Sequence, residues 1–220
     1  MKYNEEVIDG YEVCYSSDWI FNLEKKIHFE WYYHQANLVY GNCTRDQNIL
    51  EIGIGTGLLS DLLKKRGWNI LTIDIDKEKK PDFCANALDF NYEKHSIDVV
   101  LAFEIFEHIP FTTFQKVLKK LSAHGVKKVF FSLPYNEKKL FELSIKIPRI
   151  NRLNFQISIP VGKINTRAHF WELAKKSKLF EDSKRLVDYK ALEKEFFANG
   201  YILKKTDKVD YIQYFSASIA

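Results

Sequence analysis

The stretch Ile49–Gly57, ILEIGIGTG, decides the fold. An apolar strand, Asn48 to Ile52, runs into glycines at 53, 55 and 57, which let the backbone turn tightly and approach a ligand without Cβ interference. A helix follows over Leu58 to Arg66, with Leu58, Leu59, Leu62 and Leu63 on one face and Gly67 as its stop. Its first turn offers unpaired N–H groups and a positive dipole end. A dinucleotide fingerprint needs its third glycine at position 58, which is leucine, and the Gly-Lys-Ser/Thr ending of a phosphate loop is absent. Seventeen residues after Gly57 comes Asp74, at the end of a second strand over Trp68 to Ile73, where an acid can accept hydrogen bonds from a ribose diol.

Outward from this core the strand–helix rhythm continues. Ile97 to Phe103 is an apolar strand of the buried parallel type, Thr112 to Leu121 an amphipathic helix, and Val126 to Leu133 a strand closed by Pro134. The rhythm breaks between residues 135 and 188, where FQISIPV suggests a small hairpin. It resumes with a helix over Tyr189 to Ala198 and β-rich runs over Tyr201 to Lys205 and Asp210 to Ser218. The first forty residues read as helical, with Ser17 or Asp18 capping a helix from Phe21 to Tyr40. Its aromatic residues are too dense for one stripe, so part of it should face a pocket or a second element. The class is α/β, an open and mostly parallel sheet with helices on both faces.

The run from Ile49 to Ile109 resembles the cofactor site of class I, Rossmann-like, S-adenosylmethionine (SAM)-dependent methyltransferases of the type 11/12-like branch. E-x-G-x-G-x-G from Glu51 resembles their first motif, TIDID their ribose acid, and ANALDFNYEKHSIDVVLAFEIFEHIP the stretch from adenine loop through fourth strand. The resemblance implies one domain over 1–220. Residues 1–42 would be a helical lid, 43–134 the SAM-binding core, 135–188 a substrate cap inserted after strand 5, and 189–220 a helix and hairpin completing a seven-stranded sheet of order 3-2-1-4-5-7-6. It implies SAM as cofactor and S-adenosylhomocysteine (SAH) as product. Glu51, Gly53, Gly55 and Gly57 would line the methionine and ribose side, Asp74 would hold the ribose hydroxyls, and Ile75 would pack on the adenine. Asn86 stands where the family often has an acid, Ala87 and Leu88 follow it, and Phe103 and Glu104 would lie under the sulfonium. As a lid over the pocket, the N-terminal helix would bring Tyr33 or His34 near the methionine carboxylate.

Methyl transfer needs in-line positioning of a nucleophile and a base. The candidates are Glu104, His108, Tyr135 and His169, with Glu172 placed to orient His169 if the segment is helical. No metal is expected, because these acids and histidines lack a recognised ligand spacing.

The net charge of +4 is unevenly spread: Glu137 to Lys190 holds 13 Lys/Arg against 6 Asp/Glu, and Leu143 to Trp171 has five basic residues and no acid. That predicts an anionic small-molecule acceptor, phosphorylated or sugar-derived, held by Arg149, Arg152 and Arg167 with Trp171, and methylated on oxygen in cell-surface glycan or secondary metabolite synthesis. An RNA methyltransferase and a non-catalytic SAM-binding protein are the alternatives, and a lipid acceptor fits the aromatic N-terminal helix. The modest charge speaks against nucleic acid. Three scattered cysteines without CxxC, no leader-like N-terminus and no apolar run of membrane-spanning length predict a cytoplasmic protein without a disulfide framework. Oligomeric state is not legible.

Overall fold

The computed structural model describes residues 4–15, 23, 25–146, 153–164, 166–181 and 184–220. It opens on a hairpin, β1 (Asn4–Ile8) paired antiparallel with β2 (Tyr11–Tyr15), which corrects the expected all-helical N-terminus. The turn is Asp9-Gly10, with φ of 54° and 79°, the pair of positive φ values that a two-residue hairpin loop selects. Ile8, Val13 and Cys14 point inward while Glu5 and Val7 are exposed. The helix α1 (Lys26–Asn42) follows, and the expected caps Ser17 and Asp18 lie outside the described residues.

The central unit then builds strand by strand: β3 (Asn48–Ile52), α2 (Leu58–Lys65), β4 (Asn69–Asp74), a short β5 (Phe83–Cys84), β6 (Val99–Phe103), α3 (Phe111–Ala123) and β7 (Lys128–Pro134). The insertion holds an antiparallel ribbon, β8 (Glu137–Ile145) with β9 (Leu153–Pro160), and a three-stranded sheet of β10 (Trp171–Ala174), β11 (Lys178–Leu179) and β12 (Arg185–Asp188). The ribbon matches the hairpin expected around FQISIPV. The small sheet has no counterpart in the sequence reading. The chain closes with α4 (Tyr189–Ala198), β13 (Tyr201–Val209) and β14 (Ile212–Ile219).

Seven strands form one sheet in the order β13-β14-β7-β6-β3-β4-β5. Pairings from β5 to β7 are parallel, and β14 runs antiparallel to both neighbours. Counted along the sheet's own strands from the β5 edge, the order is 3-2-1-4-5-7-6. Successive residues of the central strands supply opposite faces. Ile49, Val99, Leu101 and Phe130 pack with Val39 of α1 and Leu59 and Leu63 of α2, while Leu50, Val100, Ala102 and Phe131 pack with Phe114 of α3 and Phe196 of α4. Both faces are therefore covered, and the open edges of the cavity lie at the strand ends. No helix among the described residues is long and apolar enough to cross a membrane.

The return from the insertion into the sheet is fixed by Asp188, which caps α4 by accepting from the Ala191 N–H at 3.0 Å and binds the Ser177 hydroxyl at 2.8 Å. Asp188→Ala should cost about 1 kcal/mol, read as a melting point lower by about 3 °C. An unchanged melting curve would remove this cap from the account.

Candidate active site

Parallel strands present their carboxyl ends along one edge. Here that edge opens into a cavity of about 420 Å³. Its floor is the end of β3 with the glycine loop, the end of β4, the Asn86 loop and the segment after β6. Its roof comes from elements far away in sequence: Ile8 and Val13 of the hairpin, Trp31, Tyr32 and Gln35 of α1, and Thr166, Ala168 and His169 of the insertion. The dense aromatics of α1 thus divide, with Trp31 and Tyr32 facing the cavity and Phe29 and Tyr33 exposed.

Gly53 has φ of 77° and donates its N–H to the Ile73 carbonyl at 2.8 Å, and a Cβ there would meet Ile105 Cδ1 at 1.9 Å. Around Gly55 a Cβ would meet nothing within 4 Å, so the backbone lies open to the cavity. Gly57 is the N-cap of α2 and stands just outside the lining. The Tyr32 hydroxyl and the Thr56 hydroxyl are 2.9 Å apart, tying α1 to the glycine loop. Tyr32→Phe should weaken SAH binding about threefold, the scale of one exposed hydrogen bond, as measured by calorimetry. An unchanged affinity would mean that this tie does not hold the roof.

Asp74 is buried at the end of β4. Its carboxylate accepts from the Ile54 and Asp76 N–H groups at 3.0 and 2.8 Å and pairs with Lys79 at 3.1 Å. Ile75, Ala87, Leu88 and Phe103 join the lining. Asn86 lines it too, but its Oδ1 already accepts from the Leu88 and Asp89 N–H groups and its Nδ2 donates to Asp89, so the side chain braces the loop. Glu51 is buried behind the glycine loop, Oε2 has no hydrogen-bond partner, and burial pushes its carboxyl up to about 8.

After β6 four ionisable side chains converge. Glu104 has φ of 54°, held by hydrogen bonds from its N–H to the Ser132 carbonyl and hydroxyl, and its Oε1 accepts from the Ser132 hydroxyl at 2.9 Å. Burial first, then the charge of Glu172, pushes its carboxyl up to about 8 against opposing hydrogen bonds from Ser132 and Glu107. Glu107 is fully buried, and burial followed by the charge of Glu104 holds its carboxyl well above the usual range. His108 donates Nδ1–H to the Ala168 carbonyl at 3.0 Å, and burial and the neighbouring His169 press it down to about 3, so it is neutral. The two imidazoles meet edge to face with centroids 4.9 Å apart. His169 donates Nδ1–H to Glu172 at 2.8 Å, and Glu172 accepts from Asn136 Nδ2. The His169–Glu172 pair exists as expected, although residues 171–174 are strand rather than helix.

Other expected site residues stand elsewhere. His34 lies outside the lining, 3.2 Å from Asp207 and with its ring against Tyr214. Tyr135 is half-buried outside the cavity, its ring carrying the Lys208 ammonium and its N–H bound to the Tyr211 carbonyl. Trp171 is fully buried core: it packs on Phe111 and Phe114 and donates to the Ile109 carbonyl at 3.1 Å. Arg167 is spent on Glu5 and Glu12 of the hairpin, at 2.9 and 3.3 Å. Arg149 and Arg152 lie outside the described residues. Among the described residues, Lys79 is the one Lys or Arg in the lining.

The sequence profile of a methyltransferase domain matches residues 26–189, the stretch that holds the glycine loop, the strand-end acid and the acid–histidine cluster. The chain belongs to the methyltransferase-domain family. Solved structures share this methyltransferase's fold at low identity. Magnesium protoporphyrin IX methyltransferase from Synechocystis PCC 6803 with bound SAH is 14% identical, with a TM-score of 0.56 over 88% of this chain and 84% of that one. The glycopeptide N-methyltransferase MtfA complexed with SAH is 11% identical, with a TM-score of 0.54 over 85% and 89%. The 1,6-didemethyltoxoflavin-N1-methyltransferase of Burkholderia thailandensis is 10% identical, with a TM-score of 0.53 over 98% and 99%. Among curated proteins, ribosomal RNA small subunit methyltransferase A of Mesoplasma florum is 31% identical over 99 residues, 44% of this chain. The match spans a third of that relative's length.

Proposed function

We propose that this methyltransferase binds SAM along the strand ends and transfers its methyl group to a hydroxyl oxygen of a small acceptor. Three features of the cavity fit the cofactor. Asp74 offers a carboxylate for a ribose diol, the open backbone at Gly55 allows close approach, and the unpartnered Oε2 of Glu51 suits a cation. Asp74 and Glu104 end strands separated by β3, which places them roughly 10 Å apart across the sheet. The ribose belongs at the β4 end and the reacting centre at the β6 end.

When bound, SAM supplies an activated methyl group, so the protein's share is orientation and removal of one proton. The observation that carries the reading is the convergence of Glu104, Glu107, His108 and His169 on the cavity. Glu104, pushed up to about 8, is a proton acceptor matched to neutral pH when ionised. His108 and His169 border the same end of the cavity, each ring held in place through Nδ1. The paired state of Lys79 and Arg167 favours a neutral hydroxyl over a phosphate at the reacting end.

The test is incubation with methyl-labelled SAM and fractionated small-molecule extract, followed by mass spectrometry of labelled products. A label on the oxygen of a small molecule supports the reading. A label confined to RNA, or SAH bound without transfer to any fraction, overturns it.

A further inference from the structure

Glu107 has no solvent exposure, and neither carboxyl oxygen accepts a hydrogen bond from a described protein donor. Burying such a carboxyl costs free energy, and the side chain it meets is a second buried carboxyl, Glu104, toward which it stands as hydrogen-bond donor. Its ligand-capable oxygen lies within 4.8 Å of those of His108 and His169, and the three atoms lie within that distance of one another. Both histidines spend Nδ1–H on the protein, His108 on the Ala168 carbonyl and His169 on the Glu172 carboxylate. In the neutral form of each ring, that leaves Nε2 as the nitrogen with a free lone pair. A carboxylate or carbonyl behind each imidazole is the orienting arrangement found around metal-ligating histidines. Glu172 is itself held by Asn136, which also binds the Lys163 carbonyl and the Gly162 N–H.

We infer that Glu107, His108 and His169 form a binding site for one divalent first-row metal ion at the acceptor end of the cavity. This revises the expectation of no metal, which rested on local spacing; the third ligand lies 61 residues after His108 in the chain. Two imidazoles and one carboxylate favour Mn²⁺, Co²⁺ or Zn²⁺ over Ca²⁺, which takes oxygen donors. Bonds of about 2.1 Å require the three atoms to close inward by roughly 1 Å, within side-chain rotation. Three protein ligands leave open positions for oxygens of the acceptor, so the ion would polarise the hydroxyl to be methylated. In the transfer the acceptor's O–H proton passes to Glu104, the O–C bond forms, and the C–S bond breaks with its electron pair staying on sulfur. This role rests on the methyltransferase reading above, while the site itself does not.

The experiment is a titration of chelator-treated full-length protein with Mn²⁺, followed by calorimetry and electron paramagnetic resonance, in parallel with SAH binding. One Mn²⁺ per chain is expected, weakened more than about 100-fold in Glu107→Gln and His169→Ala, and about 10- to 100-fold in Glu172→Gln, whose effect is on ligand orientation. Thermal melts and a far-ultraviolet spectrum like those of wild type in each variant verify that the fold is retained. Absence of stoichiometric Mn²⁺, Co²⁺ and Zn²⁺ binding by wild type overturns the site. So does binding that the Glu107 and His169 variants leave intact. Metal binding without SAH binding or methyl transfer would instead sink the methyltransferase reading and keep the site.

Discussion

Gly53→Ala should abolish measurable cofactor binding and lower the melting point of the free protein by roughly 10 °C. Two costs add. At φ of 77° an alanine is strained, by roughly 1–2 kcal/mol. Its Cβ would also fall 1.9 Å from Ile105 Cδ1 and 2.6 Å from Cγ1, distances that no rotation of the methyl alone relieves. Overpacking of this kind adds about 1–3 kcal/mol. Both elements that must move, the glycine loop and the segment after β6, line the cavity, so the loss falls on the site first. A double-mutant cycle with Ile105→Ala separates the two costs: the Ile105 change should recover the clash and leave the backbone strain. Calorimetric SAH titration and thermal melts read both. A Gly53→Ala protein that melts within 2 °C of wild type and binds SAH normally would mean that the loop does not adopt this conformation.

The parallel core was legible because its signals are local. Each central strand is an apolar run, the glycines fall between strand and helix, and α4 is bounded by a capping Asp188 and by Gly200 within the segment that bounds it. The N-terminal hairpin carried a local signal too, the Asp9-Gly10 turn between alternating residues, but only Ile8, Val13 and Cys14 turn inward from its two strands. So short an apolar face gives little periodicity to set against the helical segment that follows. The site was legible in the residues that the glycine loop and strand ends position, and illegible where the fold joins distant segments. His169 reaches Glu107 and His108 across 61 residues or more, and Glu107 carries no spacing that marks it as a ligand. The basic stretch shows the same gap for charge: a count cannot say what each cation faces, and Arg167 faces Glu5 and Glu12, more than 150 positions earlier.

Glu51→Gln should stabilise the free protein at pH 9, change it by less than about 1 kcal/mol at pH 5, and weaken SAM binding. The carboxyl is 5% exposed and has only the Ser60 hydroxyl and the Lys64 charge in its favour. Burial, Asp74 and Asp61 all raise it, from 4.5 to about 8, and Tyr32, packed above it from α1, brings no positive charge. The folded state therefore holds its proton more tightly than the unfolded chain. The stability that the protonated group allows is complete below pH 4.5 and is lost as pH rises to about 8, after which the deficit is constant. By linkage that deficit is on the order of 3 kcal/mol at pH 7 and 5 kcal/mol above pH 8. Glutamine keeps the shape and removes the charge, so the difference between variant and wild type isolates Glu51 from the raised Glu104 and Glu107, which tilt both proteins alike. A cation in the cavity reverses the balance, because it stabilises the ionised carboxylate that the empty fold resists. The ratio of wild-type to Glu51→Gln SAM affinity should accordingly climb about tenfold per pH unit toward 8. A variant that is less stable than wild type at both pH 5 and pH 9 would show instead that Glu51 serves the fold, and that its buried charge is not held in reserve for a cationic ligand.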